Sequence, residues 1–88
     1  MNDVVKSENK IISVVSVEPK NNYILQLSFS DGKKGIFDFS KELNFKPFLL
    51  LKNKNLFNTA HVDFGTVIWG KDEVDISAQY LYDHIIQS

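Results

Sequence analysis

The stretch YILQLSFSDGKKGIFDF, residues 23–39, constrains the fold more than any other part of the chain. Apolar and polar side chains alternate before the Asp31–Gly32 pair, and a period of two is typical of a strand with one buried face. An Asp-Gly pair between two such runs favours a tight antiparallel hairpin, because glycine adopts positive φ without strain. The pattern therefore predicts a β-hairpin whose returning strand places Phe37 and Phe39 on the apolar face.

Residues 11–17 predict a strand that precedes this hairpin. They are rich in β-branched side chains, which favour extended backbone. Glu18 and Pro19 are expected to end the strand, because proline cannot donate a hydrogen bond to a β-ladder. The asparagines at positions 21 and 22 fit the following turn, since Asn tolerates left-handed backbone angles.

Residues 61–70, HVDFGTVIWG, predict a second hairpin. Phe64 is expected on its incoming strand and Gly65–Thr66 at its turn. Residues 74–76 are predicted to follow as an extended link to the C-terminal segment.

Short helices are predicted between the hairpins and at the C-terminus. Ser40 is expected to cap the first helix, Pro47 to lie in the first turn of the next, and Asn55 to cap a further brief turn. Ser77 is a predicted N-cap for a final helix over residues 78–87, because its hydroxyl can accept a hydrogen bond from a free amide.

A chain of 88 residues, 43% hydrophobic and 24% charged, has the size and balance of one globular domain. Residues 1–9 show no sustained period and predict a flexible N-terminal arm, which leaves a single domain over residues 10–88. The predicted fold class is α+β, a small antiparallel sheet of two hairpin-like units packed against short helices and a C-terminal helix.

The charge of the chain argues against a protein that binds nucleic acid by itself, without a partner protein. A formal net charge of −1 creates no strong field for phosphates. Six lysines can nevertheless gather on one side, so a nucleic-acid-binding accessory or regulatory domain stays as the alternative function. These are Lys33, Lys34, Lys41, Lys46, Lys52 and Lys54.

The absence of cysteine excludes disulfides and thiolate chemistry and favours a reducing cytoplasm. The N-terminal residues do not resemble a secretory signal, and the longest apolar cluster, residues 48–51, is too short to cross a bilayer. A soluble cytoplasmic protein is therefore expected.

The order of motifs resembles the bacterial domain of unknown function 2442 (DUF2442) family. The shared order is V-x-V-x-P, Y-x-L-x-L-x-F-x-D-G, a Phe-Leu connection, a tryptophan, and D-I-S before L-Y. The matching positions are Val15, Val17, Pro19, Tyr23, Leu25, Leu27, Phe29, Asp31, Gly32, Asp38, Phe48, Leu51, Phe57, Trp69, Asp75, Ile76, Leu81 and Tyr82.

This resemblance implies an antiparallel sheet packed against helices and a protein without established enzymatic activity. It also implies a partner, because members of the family are often encoded beside another small domain, as in toxin–antitoxin-like or regulatory pairs. The chain departs from the family's usual ending. Residues 70–73, GKDE, stand where proline and glycine commonly follow the tryptophan, and residues 78–79 replace a proline-glutamate pair.

Metal and catalytic sites find little support in the sequence. His61 and Asp63 point to the same side of a strand, but a metal usually requires a third ligand, and no fixed spacing supplies one. Carboxylate pairs for acid–base catalysis need a cleft and unequal environments, and Asp75 has a simpler role near the positive end of the final helix. No catalytic residue, cofactor or metal ligand is therefore predicted. The carboxylates available for such a pair are Asp38, Asp63, Asp72, Glu73 and Asp75.

Trp69 has two interpretations. In the first, its ring belongs to the core beneath the C-terminal helix and its indole N–H donates to a carbonyl or carboxylate. In the second, Trp69, Tyr80 and Tyr82 form an aromatic anchor for a partner, because Trp and Tyr are frequent at binding hot spots. Helical geometry places Tyr80 off the main apolar stripe, so one of the two tyrosines is expected outside the core.

The leading hypothesis is therefore a small non-catalytic bacterial protein-interaction module, the partner or antitoxin-like half of a regulatory pair. Its partner is expected to be another small protein. An unpaired edge strand also offers a route to a homodimer, because exposed edges invite pairing.

Overall fold

The computed structural model describes residues 11–87, and the predicted N-terminal arm, residues 1–9, lies outside them. The described elements are β1 (Val14–Lys20), β2 (Ile24–Phe29), β3 (Lys34–Asp38), a first 3₁₀ helix (Phe39–Lys41), a second 3₁₀ helix (Lys46–Lys52), α1 (Lys54–Phe57), β4 (His61–Asp63), β5 (Thr66–Trp69), β6 (Val74–Ile76), α2 (Ala78–His84) and β7 (Ile86–Gln87). The strands form two antiparallel sheets, with orders β1-β2-β3-β7 and β4-β5-β6. The predicted α+β class is confirmed, with each predicted hairpin in its own sheet.

The β2–β3 hairpin forms as the alternating pattern predicts. Leu25 pairs with Phe37 in register, and both side chains are buried. The connection turns at Gly32, whose φ of 93° lies in the left-handed region that glycine favours. Phe39 is also buried, although β3 ends one position before it and the residue opens the first 3₁₀ helix.

β1 starts later than predicted and does not end at Pro19. The strand runs from Val14 through Pro19 to Lys20, because it is the outer strand of its sheet and proline is tolerated there. The register shifts between Val14 and Ser16, so Val15 is an extra residue in a β-bulge. Its side chain is consequently exposed.

The predicted turn of the second hairpin is wrong. Phe64 and Gly65 form it, while Asp63 and Thr66 pair across the strands. Both turn residues have positive φ, 52° and 76°, as in a type I′ turn, whose twist matches that of the strands. The predicted link over residues 74–76 is instead the strand β6, which pairs with β5.

Replacing Phe64 by asparagine is expected to stabilise the protein. The Phe64 ring is 97% exposed and contributes little packing, while a bulky residue with positive φ is strained. Asn-Gly is the preferred type I′ pair, so Phe64→Asn should raise the free energy of unfolding by about 1 kcal/mol. Urea denaturation followed by tryptophan fluorescence measures the change. Phe64→Ala removes the ring but keeps the strain, and an equal gain in that control would contradict the backbone explanation.

Two helix caps differ from the prediction and one agrees with it. Asp38, not Ser40, caps the first 3₁₀ helix, and its carboxylate accepts from the Ser40 N–H at 2.8 Å. Asn53, not Asn55, caps α1, and its side-chain oxygen accepts from the Asn55 N–H at 2.9 Å. The Ser77 hydroxyl accepts from a first-turn N–H at 3.1 Å, so the predicted N-cap of α2 is confirmed.

The C-terminal helix is shorter than the predicted 78–87. It ends at His84, since Ile85 adopts extended backbone with ψ of 156°. The chain then runs on as β7, which pairs with β3. A Cβ atom at Gly35 would lie 2.5 Å from the carbonyl oxygen of Ile86, so only glycine lets the two strands approach this closely. No helix within residues 11–87 is long and apolar enough to span a membrane.

Aromatic rings fill the centre of the core. Trp69 is fully buried, with its ring centroid 5.8 Å from that of Phe39 and 6.4 Å from that of Phe57. Its indole N–H donates to the Phe57 carbonyl at 3.1 Å. The prediction of a core tryptophan bonded to a carbonyl is therefore confirmed.

Candidate protein-interaction surface

The two potential metal ligands of β4, His61 and Asp63, lie at the surface. His61 is exposed, and its Nδ1 lies 2.8 Å from the Thr59 carbonyl oxygen, within hydrogen-bonding distance. Asp63 is exposed beside the type I′ turn. Among residues 11–87, no group of three or more His, Cys, Asp or Glu side chains is placed to hold a metal ion.

The acidic residues considered for catalysis lie at the surface. Hydrogen bonds from Ser40 lower the pKa of Asp38, which serves as a helix cap. Asp75 lies on β6 opposite Ile68, and Ser77 occupies the N-cap position, so it is Ser77 whose side chain accepts from a first-turn N–H of the helix. All five carboxylates considered have exposed side chains, whereas acid–base catalysis uses groups in unequal, partly enclosed environments.

The outer face of the first sheet forms an open groove of about 520 Å³. Ser16 and Ser28 face each other there with their Oγ atoms 2.5 Å apart, and Gln26 and Lys34 lie on the same face. These groups are the solvated half of the alternating pattern. The neighbouring hydroxyls have no histidine or acid within hydrogen-bonding distance among the described side chains, so the groove presents polar surface without an activated nucleophile.

The structure does not bring the three predicted anchor residues together. Trp69 is fully buried, which corrects its assignment to a partner-binding surface. Tyr80 and Tyr82 are both half-buried and pack against the core from different sides of α2. We expected one of the two tyrosines to lie outside the core, but both are partly buried.

Tyr82 attaches α2 to the tip of the β2–β3 hairpin. Its hydroxyl donates to the Asp31 carboxylate at 2.5 Å, and the Lys33 Nζ lies 4.1 Å from its ring centroid. The Tyr82 hydrogen bond, with a second from the Lys33 N–H, lowers the pKa of Asp31. The same hydrogen bond raises the pKa of the Tyr82 phenol. These contacts give Tyr82 an intramolecular role.

The Tyr82 contact predicts a pH-dependent contribution to stability. Folding favours the charged form of Asp31, so the contribution is present above the ordinary pKa of 3.8 and is lost as pH falls through the lowered value. Tyr82→Phe should therefore be less stable than the native chain at neutral pH, with the difference disappearing in strong acid. Urea titrations of both proteins across this range test it. A difference that persists after Asp31 is protonated would show that the Tyr82 hydroxyl acts independently of the Asp31 charge and would contradict this explanation.

Tyr80 belongs to a chain of rings that reaches the surface. Its centroid lies 4.3 Å from the stacked His84 ring and 6.3 Å from that of Phe48. Phe48 is buried and makes an edge contact with Phe45, at 5.6 Å between centroids. The Phe45 side chain is 56% exposed. The core thus extends through Phe48 to an exposed aromatic ring.

Phe45 is one of three exposed apolar side chains in a single short segment. Leu49 and Leu50 are 42% and 57% exposed. We name Phe45, Leu49 and Leu50 the apolar ridge. Single exposed apolar residues are common on soluble proteins, but three within six residues of the chain give a partner more apolar area to cover.

The second 3₁₀ helix fixes the orientation of the ridge. Three residues per turn place Phe48 and Leu51 on one side, which is buried. Leu49 shares a second side with Lys46 and Lys52, and Leu50 lies on the third. The helix therefore anchors one side in the core and presents two others with leucines.

Sequence reasoning missed the ridge, although a signal was present. Residues 45–51, FKPFLLL, hold more apolar side chains than one buried side of a short helix can accommodate. Some of them must face outward whichever helix type forms. The predicted anchor Tyr80 contacts Phe48, the buried ring against which the ridge residue Phe45 packs.

Fold and surface together define a small α+β protein with a core rich in aromatic rings and an exposed apolar segment at residues 45–50. A family model described as Protein of unknown function (DUF2442) matches residues 14–87, nearly the whole chain, and the chain belongs to this family. The match covers every element from β1 to β7. Searches of the curated proteins and of the solved structures found no match.

Proposed function

We propose that the protein is a non-catalytic protein-interaction module that binds another small protein through the apolar ridge. The exposure of Phe45, Leu49 and Leu50 within one short segment is the observation that carries the proposal. Burying such side chains in a partner removes apolar area from water, which is the main driving force of association.

The packing of Phe45 against buried aromatic rings supports this function. Phe45 contacts Phe48, which in turn packs against Phe39 with ring centroids 5.4 Å apart. A surface that is already ordered loses little conformational entropy on binding, so more of the contact energy appears as affinity.

The lack of cysteine fits a reducing compartment. We therefore propose that the module acts in the bacterial cytoplasm as one half of a regulatory pair.

Pairing of two copies through an edge strand remains a weaker second route. The outer edge of β1 contains the bulge at Val15 and the proline at position 19, which lacks an N–H. The N–H of Val14 donates to the Gly65 carbonyl at 2.8 Å. Bulges, proline and occupied backbone groups all discourage edge pairing.

Affinity capture with a paired variant tests the proposed function. The chain, tagged at its N-terminus, is expressed in its host and its bound proteins are compared with those of Phe45→Ser/Leu50→Ser. We expect a defined small protein with the native chain and its loss with the variant, because both side chains lie in the contact.

Val15→Ser is the matched control, since Val15 is an equally exposed apolar residue outside the ridge. It should retain the partner. Equal recovery with the ridge variant and the native chain, with both folded by circular dichroism, would contradict the proposal.

A further inference from the structure

The apolar ridge lies in a basic part of the chain. Residues 41–54 contain four lysines and one glutamate, a net charge of +3, whereas the whole chain carries −1. Within residues 11–87, none of these lysines forms an ion pair with a carboxylate, and all four are exposed. They are Lys41, Lys46, Lys52 and Lys54.

Two of these lysines flank the ridge directly. The three-residue turn of the second 3₁₀ helix places Lys46 and Lys52 on the same side as Leu49, one turn before and one turn after it. A partner that covers Leu49 therefore approaches both ammonium groups. Removing a charge from water without a counter-charge is strongly unfavourable, so such a partner must supply acceptors.

From this charge complementarity we infer that the ridge binds an acidic segment of its partner, one that combines large apolar side chains with flanking aspartates or glutamates. The inference rests on the proposed function and specifies the partner's chemistry. The apolar anchors supply contact area, while the carboxylates face the lysines and accelerate association through long-range attraction.

A nucleic-acid strand fits the same surface less well. Phosphates would satisfy the lysines, but Leu49 and Leu50 offer no flat face on which bases can stack. Only Phe45 supplies an exposed ring within the ridge. The aliphatic pair therefore favours a polypeptide.

Selection from a library of short random peptides, with the full chain immobilised through its N-terminus, tests the inference. Recovered peptides should be net negative and contain large apolar side chains. A synthetic peptide from this pool should bind about tenfold or more weakly when salt is raised from about 0.05 M to about 0.5 M. Lys46→Gln/Lys52→Gln should weaken it to a similar extent.

Lys34→Gln/Lys71→Gln removes the same charge from exposed positions elsewhere and should leave the affinity within about twofold. Peptides that depend on the ridge but are neutral or basic would overturn the inference and leave the proposed function intact. Recovery of no ridge-dependent peptide would contradict both. Tighter binding of a single-stranded oligonucleotide than of any selected peptide would overturn the inference in favour of nucleic acid.

Discussion

Replacing Trp69 by alanine should lower the free energy of unfolding by about 3–5 kcal/mol. The side chain is fully buried and contacts the rings of Phe39 and Phe57, so the substitution leaves a large cavity at the centre of the core. Total stabilities of small domains are about 5–15 kcal/mol, and this single change therefore removes a large share. Urea denaturation followed by circular dichroism measures it, since the variant lacks the single tryptophan whose fluorescence would report unfolding.

Two further variants separate packing from hydrogen bonding at this position. Trp69→Phe keeps most of the buried ring but loses the indole N–H, and we expect a smaller loss of about 1–2 kcal/mol. The Phe57 carbonyl also accepts from the Ala60 N–H at 3.3 Å, so it is not left without a donor. Phe64→Ala removes an exposed ring and should change stability by less than about 0.5 kcal/mol. A Trp69→Ala variant as stable as Phe64→Ala would contradict the assignment of Trp69 to the core.

The neighbouring leucines Leu50 and Leu51 should respond in opposite ways to substitution by alanine. Leu51 is fully buried, so Leu51→Ala is expected to cost about 2–5 kcal/mol of stability. Leu50 is 57% exposed, so Leu50→Ala should change stability by less than about 0.5 kcal/mol while weakening binding about tenfold or more.

Chemical denaturation and titration with the captured partner provide the two measurements. The pair is its own control, because both variants delete the same atoms from adjacent positions. Stability loss in Leu50→Ala similar to that in Leu51→Ala would show that the ridge belongs to the core. Unchanged affinity in Leu50→Ala would remove it from the contact.

Local sequence patterns predicted those elements whose geometry depends on near neighbours. The alternation before Asp31–Gly32 is enough to specify the β2–β3 hairpin, because turn chemistry and side-chain period agree. The Ser77 cap was predictable for the same reason. The type I′ turn at Phe64–Gly65 was not, since phenylalanine is disfavoured at positive φ and only the pairing of β4 with β5 reveals it.

Features that depend on distant parts of the chain were beyond the sequence. The end of α2 at His84 follows from the pairing of β7 with β3, which brings residues 35 and 87 together. Likewise, composition indicates that aromatic residues such as Trp69 and Tyr80 lie in the core or in an interface, but it does not say which of these two locations each residue occupies. Predicting the apolar ridge required knowing which side of the second 3₁₀ helix is buried. That side is set by the contact between Phe48 and Phe39, which exists only in the folded chain.

Photo-crosslinking in host cells tests most directly whether the apolar ridge is the partner-binding surface. A photoreactive phenylalanine analogue is placed at Leu49, on the ridge, or at Gln26, on the outer face of the first sheet. We predict a discrete crosslinked product with a small protein from position 49 and none from position 26. A product from position 26 alone, or none from either position, would contradict the proposed role of the ridge.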